Sequence, residues 1–270
     1  MTWGGRCGTV RIGAVAPLSL TQVGYLDTNT ETAPHASRRR LTLLHTSDLH
    51  LGSDSFADDA FRGFELVLER ATAMRVDGML IVGDMFDSAR SPLDTVARAF
   101  LRLGELDCPV FLLPGNHDSL LTGSYGTVHD VPDPPPNAHL LREAAGEMAV
   151  SQELGLSVWG RPVYDHSPSF RPLEGVRPRP PGGWYIVMAH GLVMNGYVGS
   201  FRSSPITEEE LRQVDCDYVA LGHVHVFRDV THGGPAAFYS GAPSGSQHWT
   251  TALVTLDPAR GGTVERIPLA

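Results

Sequence analysis

The sequence contains no lysine, and all 21 of its basic side chains are arginines. No catalytic conclusion follows from that alone, but the other shortages narrow the field. Only three cysteines occur, Cys7, Cys108 and Cys216, without CxxC or zinc-ribbon spacing. An odd, scattered set argues against a disulfide framework, and the default setting is a reducing cytoplasm. Cys108 and Cys216 adjoin apolar runs and read as small buried side chains. No apolar run approaches the ~20 residues that cross a bilayer, so no membrane partner is expected.

Basic charge is scarce overall, with 21 basic residues against 30 acidic ones and a formal net charge of −9. Residues 1–40 hold five of the arginines against Asp27 and Glu31, which leaves the remainder with 16 basic and 28 acidic side chains, or −12. A body that acidic exerts no global attraction on nucleic acid, although bound cations or a local arginine patch can reverse the sign inside a cleft.

Residues 1–40 lack sustained periodicity, close with Arg38-Arg39-Arg40, and read as a disordered N-terminal extension. Arg6 and Arg11 ahead of Ile12–Leu18 have the outline of a secretory leader, but Pro17 breaks the run and no good cleavage site follows. The rest, 41–270, reads as one domain, since a chain of 270 residues that is 42% hydrophobic can bury a substantial core.

Leu41–Thr46, Gly78–Val82 and Pro109–Pro114 are strand-like apolar runs. Between them, Phe61, Phe64, Val67, Leu68, Ala71 and Met74 give residues 57–75 one apolar helical face. Ser91-Pro92 reads as an N-cap with proline at the first helical position, followed by Val96, Ala99, Phe100 and Leu103. Strand, helix, strand, helix, strand indicates a parallel sheet with helical crossovers. Residues 119–147 turn irregular and read as a surface excursion, and 165–183 as a Pro, Gly and Arg-rich loop over a site or in water. Met148–Val150 and Leu156–Trp159 read as strands of a second sheet, joined by Trp184–Ala189 and Asp217–Leu221. Thr207 with Glu210 forms a capping box.

Five of these strands end in polar words: Asp48 and His50; Asp84 and Asp87; Asn116, His117 and Asp118; His190; and His223 with His225. Residues i and i+2 on an extended segment project to the same side, so Asp48 and His50 can grip one ion, while His223 and His225 either share an ion or straddle two. Carboxylate, amide and imidazole donors without thiolate suit Mn²⁺, Fe, Zn²⁺ or Mg²⁺. The set exceeds what one ion needs, and two divalent ions sharing a carboxylate is the simplest solution.

In this order, Asp48-x-His50, Gly83-Asp84-x-x-Asp87, Gly115-Asn116-His117-Asp118, His190-Gly191 and Gly222-His223-x-His225 resemble the calcineurin-like metallophosphoesterase superfamily. The flanking words His45–Gly52, Gly83–Ser88, Ala220–His223 and Tyr239–Pro243 are most similar to its SbcD-type DNA-repair exonuclease branch. The resemblance implies an α/β fold, a four-layer αββα sandwich of two mixed sheets. It implies that Asp48, His50, Asp84 and His225 hold one metal, Mn²⁺ first, and that Asp84 bridges to a second completed by Asn116, His190 and His223. A metal-activated hydroxide would attack phosphorus, with His117 stabilising the phosphoryl group or protonating the leaving group and Asp118 orienting His117. Asp87 would support the ligands from behind; Asp87 and Asp118 also read as helix or turn caps, and Arg90 and Arg202 as phosphate contacts or solvated side chains.

The expected activity is hydrolysis of DNA phosphodiesters. Against it stand the acidic body and the short stretch after the catalytic core, where SbcD-type nucleases continue into a region that holds DNA and engages an SMC-like ATPase. A small nucleotide-type phosphoester is the alternative substrate, and a catalytically silent interaction module the alternative class.

Overall fold

The computed structural model describes Met1 and residues 38–53, 57–88, 90–118, 132–165, 167, 169–195, 204–245 and 248–269. Cys7, Arg202 and nearly all of the predicted extension lie outside the described residues. In chain order the elements are β1 (Leu41–Thr46), α1 (Ala57–Met74), β2 (Gly78–Val82), α2 (Leu93–Leu103), β3 (Val110–Leu113), β4 (Ala138–Leu140), β5 (Glu147–Ser151), β6 (Leu156–Gly160), β7 (Trp184–His190), β8 (Leu192–Met194), β9 (Pro205–Thr207), α3 (Glu208–Gln213), β10 (Tyr218–Gly222), β11 (Phe227–Asp229), β12 (Ala236–Ser240), β13 (Thr250–Asp257) and β14 (Gly261–Pro268).

Two six-stranded mixed sheets carry the fold, in the orders β14-β13-β1-β2-β3-β4 and β11-β12-β10-β7-β6-β5. In the first, β1 through β4 run parallel, and β13 pairs antiparallel with both β1 and β14. In the second, β6, β7, β10 and β12 run parallel, with β5 and β11 antiparallel at the edges.

The unbroken apolar run of β2 follows from burial on both faces. Met79 and Ile81 pack with Phe64, Val67, Val96 and Phe100 of the helices. Leu80 and Val82 point the other way, into a layer with Phe111 and Leu113 that meets Val158, Ile186, Met188 and Ala220 of the second sheet. Each such side chain contributes ~1.5–3 kcal/mol on burial. The far face of the second sheet, with Tyr185, Val187, Val219, Leu221 and Tyr239, is covered by Leu211 of α3 together with Leu173 and Ile206. The result is the expected sandwich of helices, two sheets and a fourth layer, to which the described residues contribute the short helix α3 and irregular chain.

Several local expectations change. Pro92, not Ser91, is the N-cap of α2: Pro92 is extended at φ −57 and ψ 138, and its carbonyl accepts the N–H of Val96. The Ser91 hydroxyl instead donates to the carbonyl of Leu51 and accepts the N–H of Ser88, tying two loops together. Met74, at the end of α1, is exposed. The stretch expected to be irregular at 119–147 contains β4, which adds a strand beside β3; residues 119–131 are outside the described residues. The Pro-rich stretch at 165–183 is anchored by the buried Phe170 and Leu173, while Glu174, Gly175, Arg177 and Pro178 are exposed to water. The Thr207 and Glu210 capping box is present, and Cys108 and Cys216 are buried free thiols.

Candidate metal centre

Parallel strands deliver their carboxyl ends to one edge, and β1, β2 and β3 therefore release their polar words side by side. The segments after β1 and β2 continue the ladder: the N–H of Asp48 donates to the Gly83 carbonyl at 3.0 Å, that of His50 to Asp84 at 2.9 Å, and that of Asp87 to Leu51 at 3.0 Å. From the second sheet, His190 ends β7 beside Gly222 of β10, the two being register partners. The N–H of His223 then donates to Asp48 Oδ2 at 3.0 Å and joins the two sheets at the site.

Holding these segments costs conformational energy. Six non-glycine described residues have positive φ, and four of them are Asp48 (56°), His50 (51°), Asp84 (51°) and His223 (97°). Each costs on the order of 1–3 kcal/mol, and such strain gathers where a site dictates the backbone. The motif glycines make room. A Cβ on Gly83, itself at φ +82, would lie 2.0 Å from His190 Nδ1, and one on Gly115 would lie 2.3 Å from Asp84 Oδ1.

The predicted ligands gather into two groups, Asp48 with His50 and His225, and Asp84 with His190 and His223. His223 and His225 therefore straddle the groups and do not share one. In the first group, His225 Nε2 lies 3.5 Å from Asp48 Oδ1. Asp48 Oδ1 and both ring nitrogens of His50 are buried without a hydrogen-bond partner. In the second, Asp84 Oδ2 lies 3.2 Å from His190 Nε2, and Asn116 Oδ1 lies 3.0 Å from His190 Nε2 and 3.2 Å from His223 Nδ1. Donors each ~2.1 Å from a single cation stand ~3.0–3.5 Å from one another, so these separations fit divalent ions.

The electrostatics run the same way. Burial opposes charge on Asp84, yet His190 and His117 hold its carboxyl well below the ordinary range. Burial likewise opposes charge on His190, and the carboxylates of Asp84 and Asp48 outweigh it, pushing the imidazole up to about 9. Burial and neighbouring His190 lower His223 to about 4, so its ring is neutral and free to ligate. The charge of Asp84 also acts on His50 and His225 in the first group. His190 Nδ1 contacts the carbonyl of Val82 at 3.0 Å. A carbonyl only accepts, so Nδ1 is protonated in either charge state; Nε2 faces the cluster, and to ligate a cation there it would give up the proton that Asp84 and Asp48 otherwise hold on the ring.

His117 sits exposed at the mouth, its Nδ1 2.6 Å from the main-chain carbonyl of Asp87. By the same argument Nδ1 is protonated and Nε2 is left for other work. Asp118, expected to orient this imidazole, engages other partners. The buried Asp118 carboxylate accepts the N–H groups of Met85 (3.0 Å), Phe86 (2.6 Å) and Gly115 (3.0 Å). Asp87 reaches His50, with Oδ1 3.1 Å from Nδ1. A cavity of about 490 Å³ opens over the cluster and is also lined by Ser53, Ser244 and Gly245. Sequence reasoning did not single these three out, although Ser244 directly follows the Tyr239–Pro243 word. Arg90 is exposed and does not line the cavity. A groove of about 790 Å³ between residues 173–182 and α3 lies away from the cluster and contains none of these donors.

Against known proteins, residues 41–227 match the calcineurin-like phosphoesterase family model. The chain is 28% identical over 222 residues to the uncharacterized metallophosphoesterase YhaO of Bacillus subtilis, covering 74% of this chain and 52% of that protein. It is 34% identical over 89 residues to the SbcD subunit of nuclease SbcCD from Escherichia coli, covering 30% of this chain and 22% of that one. The chain thus spans about half the length of the first of these relatives and less of the second. Among solved structures, purple acid phosphatase PPD1 from yellow lupin superposes with a TM-score of 0.57 at 12% identity, over 88% of this chain and 52% of that one, a likeness of fold. With the family model spanning all five polar strand ends, this chain belongs to the calcineurin-like phosphoesterase family, hydrolases of phosphoric esters, and is similar within it to the SbcD type.

Proposed function

We propose that this chain is a two-metal phosphoesterase that hydrolyses phosphodiester bonds, with DNA as its first substrate. The observation that carries the reading is the set of buried donors without partners, Asp48 Oδ1 and both nitrogens of His50, beside a second cluster built on Asp84. Asp48, His50 and His225 would hold one divalent cation. Asn116, His190 and His223 would hold the other, and Asp84 would be shared. Mn²⁺ is the first choice, and Fe, Zn²⁺ or Mg²⁺ also suit oxygen and imidazole donors. Two such ions supply Lewis-acid charge and lower the pKa of water.

The chain's own groups complete the reading. His117, anchored through Nδ1, presents Nε2 at the mouth, where it would stabilise the phosphoryl group or protonate the departing oxygen. Asp118 would act through the backbone it holds. The SbcD likeness supports DNA, an SMC-like ATPase partner and a cytoplasmic setting; no described helix is long and apolar enough to cross a membrane.

A small nucleotide-type diester is the second reading, favoured by the net charge of −9 and by a cavity whose described lining has no arginine. The test is purified protein loaded with Mn²⁺ and offered linear duplex, single-stranded DNA, cyclic nucleotides and an aryl phosphodiester. About two metal equivalents with DNA cleavage support the proposal. Cleavage of small diesters alone overturns the DNA reading, and metal-free, inert protein favours a silent interaction module.

A further inference from the structure

We infer that Ser53 contacts the substrate, its hydroxyl donating to a non-bridging oxygen of the phosphoryl group. This rests on the two-metal reading above. Ser53 is only 6% exposed, and it lines the cavity over the cluster. Its hydroxyl has no hydrogen-bond partner among the described residues, yet it is not one of the unpartnered atoms closed off from the surface. It therefore opens onto the cavity. The neighbouring serine hydroxyls are committed elsewhere: that of Ser244 donates to the Leu49 carbonyl, that of Ser91 to the Leu51 carbonyl, and those of Ser47 and Ser240 meet at 3.0 Å. The main chain holds Ser53 in place. Its N–H donates to the His50 carbonyl at 3.3 Å, while those of His50 and Leu51 donate to the carbonyls of Asp84 and Met85 at 2.9 Å each. Gly52 makes the turn at φ +83, where a Cβ would lie 3.2 Å from Ser91 Oγ.

The rest of the lining leaves this donor a task. The carboxylates of Asp84 and Asp87 repel a phosphate, and His50, His223, His225 and the Asn116 oxygen are the donors assigned to cations. His117 is assigned to the phosphoryl or leaving-group oxygen, and the described lining has no arginine. Ser53 is left as the side-chain hydroxyl with no other duty. A neutral donor preset on a pinned turn needs no reorganisation when charge grows on a phosphoryl oxygen, and a hydrogen bond to an anionic oxygen is among the stronger kind. Because this hydroxyl joins nothing in the protein to anything else, its removal should be felt only when phosphate is bound.

The experiment is calorimetric titration of Mn²⁺-loaded wild type and Ser53→Ala with inorganic phosphate, alongside kinetics on an aryl phosphodiester. In Ser53→Ala, phosphate affinity and kcat/KM are both expected to fall by ~10–100-fold, the scale of one hydrogen bond to a charged group. Manganese content and the metal-free melting temperature should stay as in wild type, since the hydroxyl is assigned to neither a cation nor a protein group. The inference is overturned if loaded wild type binds no phosphate, or if Ser53→Ala binds it as tightly as wild type does, even where diester turnover falls. Lost manganese or a lowered melting temperature in the variant would also overturn it, by giving Ser53 a task in the fold. Wild type that takes up no manganese would overturn the two-metal reading along with it, whereas wild type with two ions and an unaffected Ala variant overturns this inference alone.

Discussion

The carboxylate of Asp118 accepts the main-chain N–H of Phe86 at 2.6 Å, across 32 residues of sequence. With Met85 and Gly115 as further donors, it clamps the segment after β2 to the segment after β3. Those segments carry Asp84 and Asn116, so the side chain that fixes their relative position touches neither the cavity nor His117. Burial and the nearby charge of Asp84 raise its carboxyl to about 7, against the pull of the three N–H groups.

Replacing Asp118 by alanine should consequently destabilise the fold before it affects any chemical step. Three buried N–H groups would lose their acceptor at ~1–3 kcal/mol each. Relief of a buried charge offsets part of this, leaving a net loss of about 2–4 kcal/mol. For a domain of this size that lowers the melting temperature by ~4–16 °C. Calorimetry of metal-free protein checks it; an unchanged melting temperature with reduced turnover would return Asp118 to the role of partner for His117.

Asp84→Asn removes the carboxylate that stands nearest His190 and whose charge reaches both groups. Metal content should fall from about two equivalents to one or none. Several kcal/mol of transition-state stabilisation should go with it, a loss of ~10²–10⁴ in turnover. Gly115→Ala is expected to mimic this without touching a ligand, since its Cβ would crowd Asp84 Oδ1 at 2.3 Å. Elemental analysis decides both, and full metal content in either variant would contradict the assignment.

His117→Ala should behave in the opposite way. The ring is exposed; it stands within ligand distance of His50 and Asp87, but outside the two groups that hold the predicted ligands, so both ions are expected to remain while turnover on an aryl phosphodiester falls by ~10²–10⁴. Loss of metal together with turnover would move His117 into the ligand set.

The strands and the two large helices are legible in the sequence because burial on both faces writes itself as continuous apolar runs, as in Met79-Leu80-Ile81-Val82, and amphipathic spacing writes the helices, as in Val96, Ala99, Phe100 and Leu103. The short strands β4, β8, β9 and β11 are not legible, since three residues carry no period. The ligand groups are readable from residue type at strand ends, but the spacing argument for one pair fails in its physics. Asp48 and His50 do not come together through extended alternation, because both are left-handed, at φ 56° and 51°. Asp118 misleads for a related reason: adjacency to His117 in sequence suggests a side-chain contact, while its partners Met85 and Phe86 lie more than 30 positions away and contribute only N–H groups, which leave no mark on residue type.

His45 supplies a pH dependence that belongs to the fold alone. It is fully buried between the sheets, and its Nδ1 lies 2.8 Å from the hydroxyl of Tyr218. Burial dominates its titration and lowers it to about 3. The unfolded chain takes up this proton near pH 6.5, the folded chain only near 3, so between those values the unfolded state binds more protons and stability falls as the solution is acidified. At ~1.4 kcal/mol per pH unit, His45 alone should remove roughly 3 kcal/mol between about pH 6.5 and 4. His45→Gln keeps a hydrogen-bonding group for Tyr218 and cannot titrate. It should therefore be less stable than wild type near neutrality and lose that disadvantage steadily toward about pH 4. Urea unfolding of the metal-free pair at several pH values measures the gap; one that stays constant would mean that the buried imidazole takes up its proton as readily as one in water.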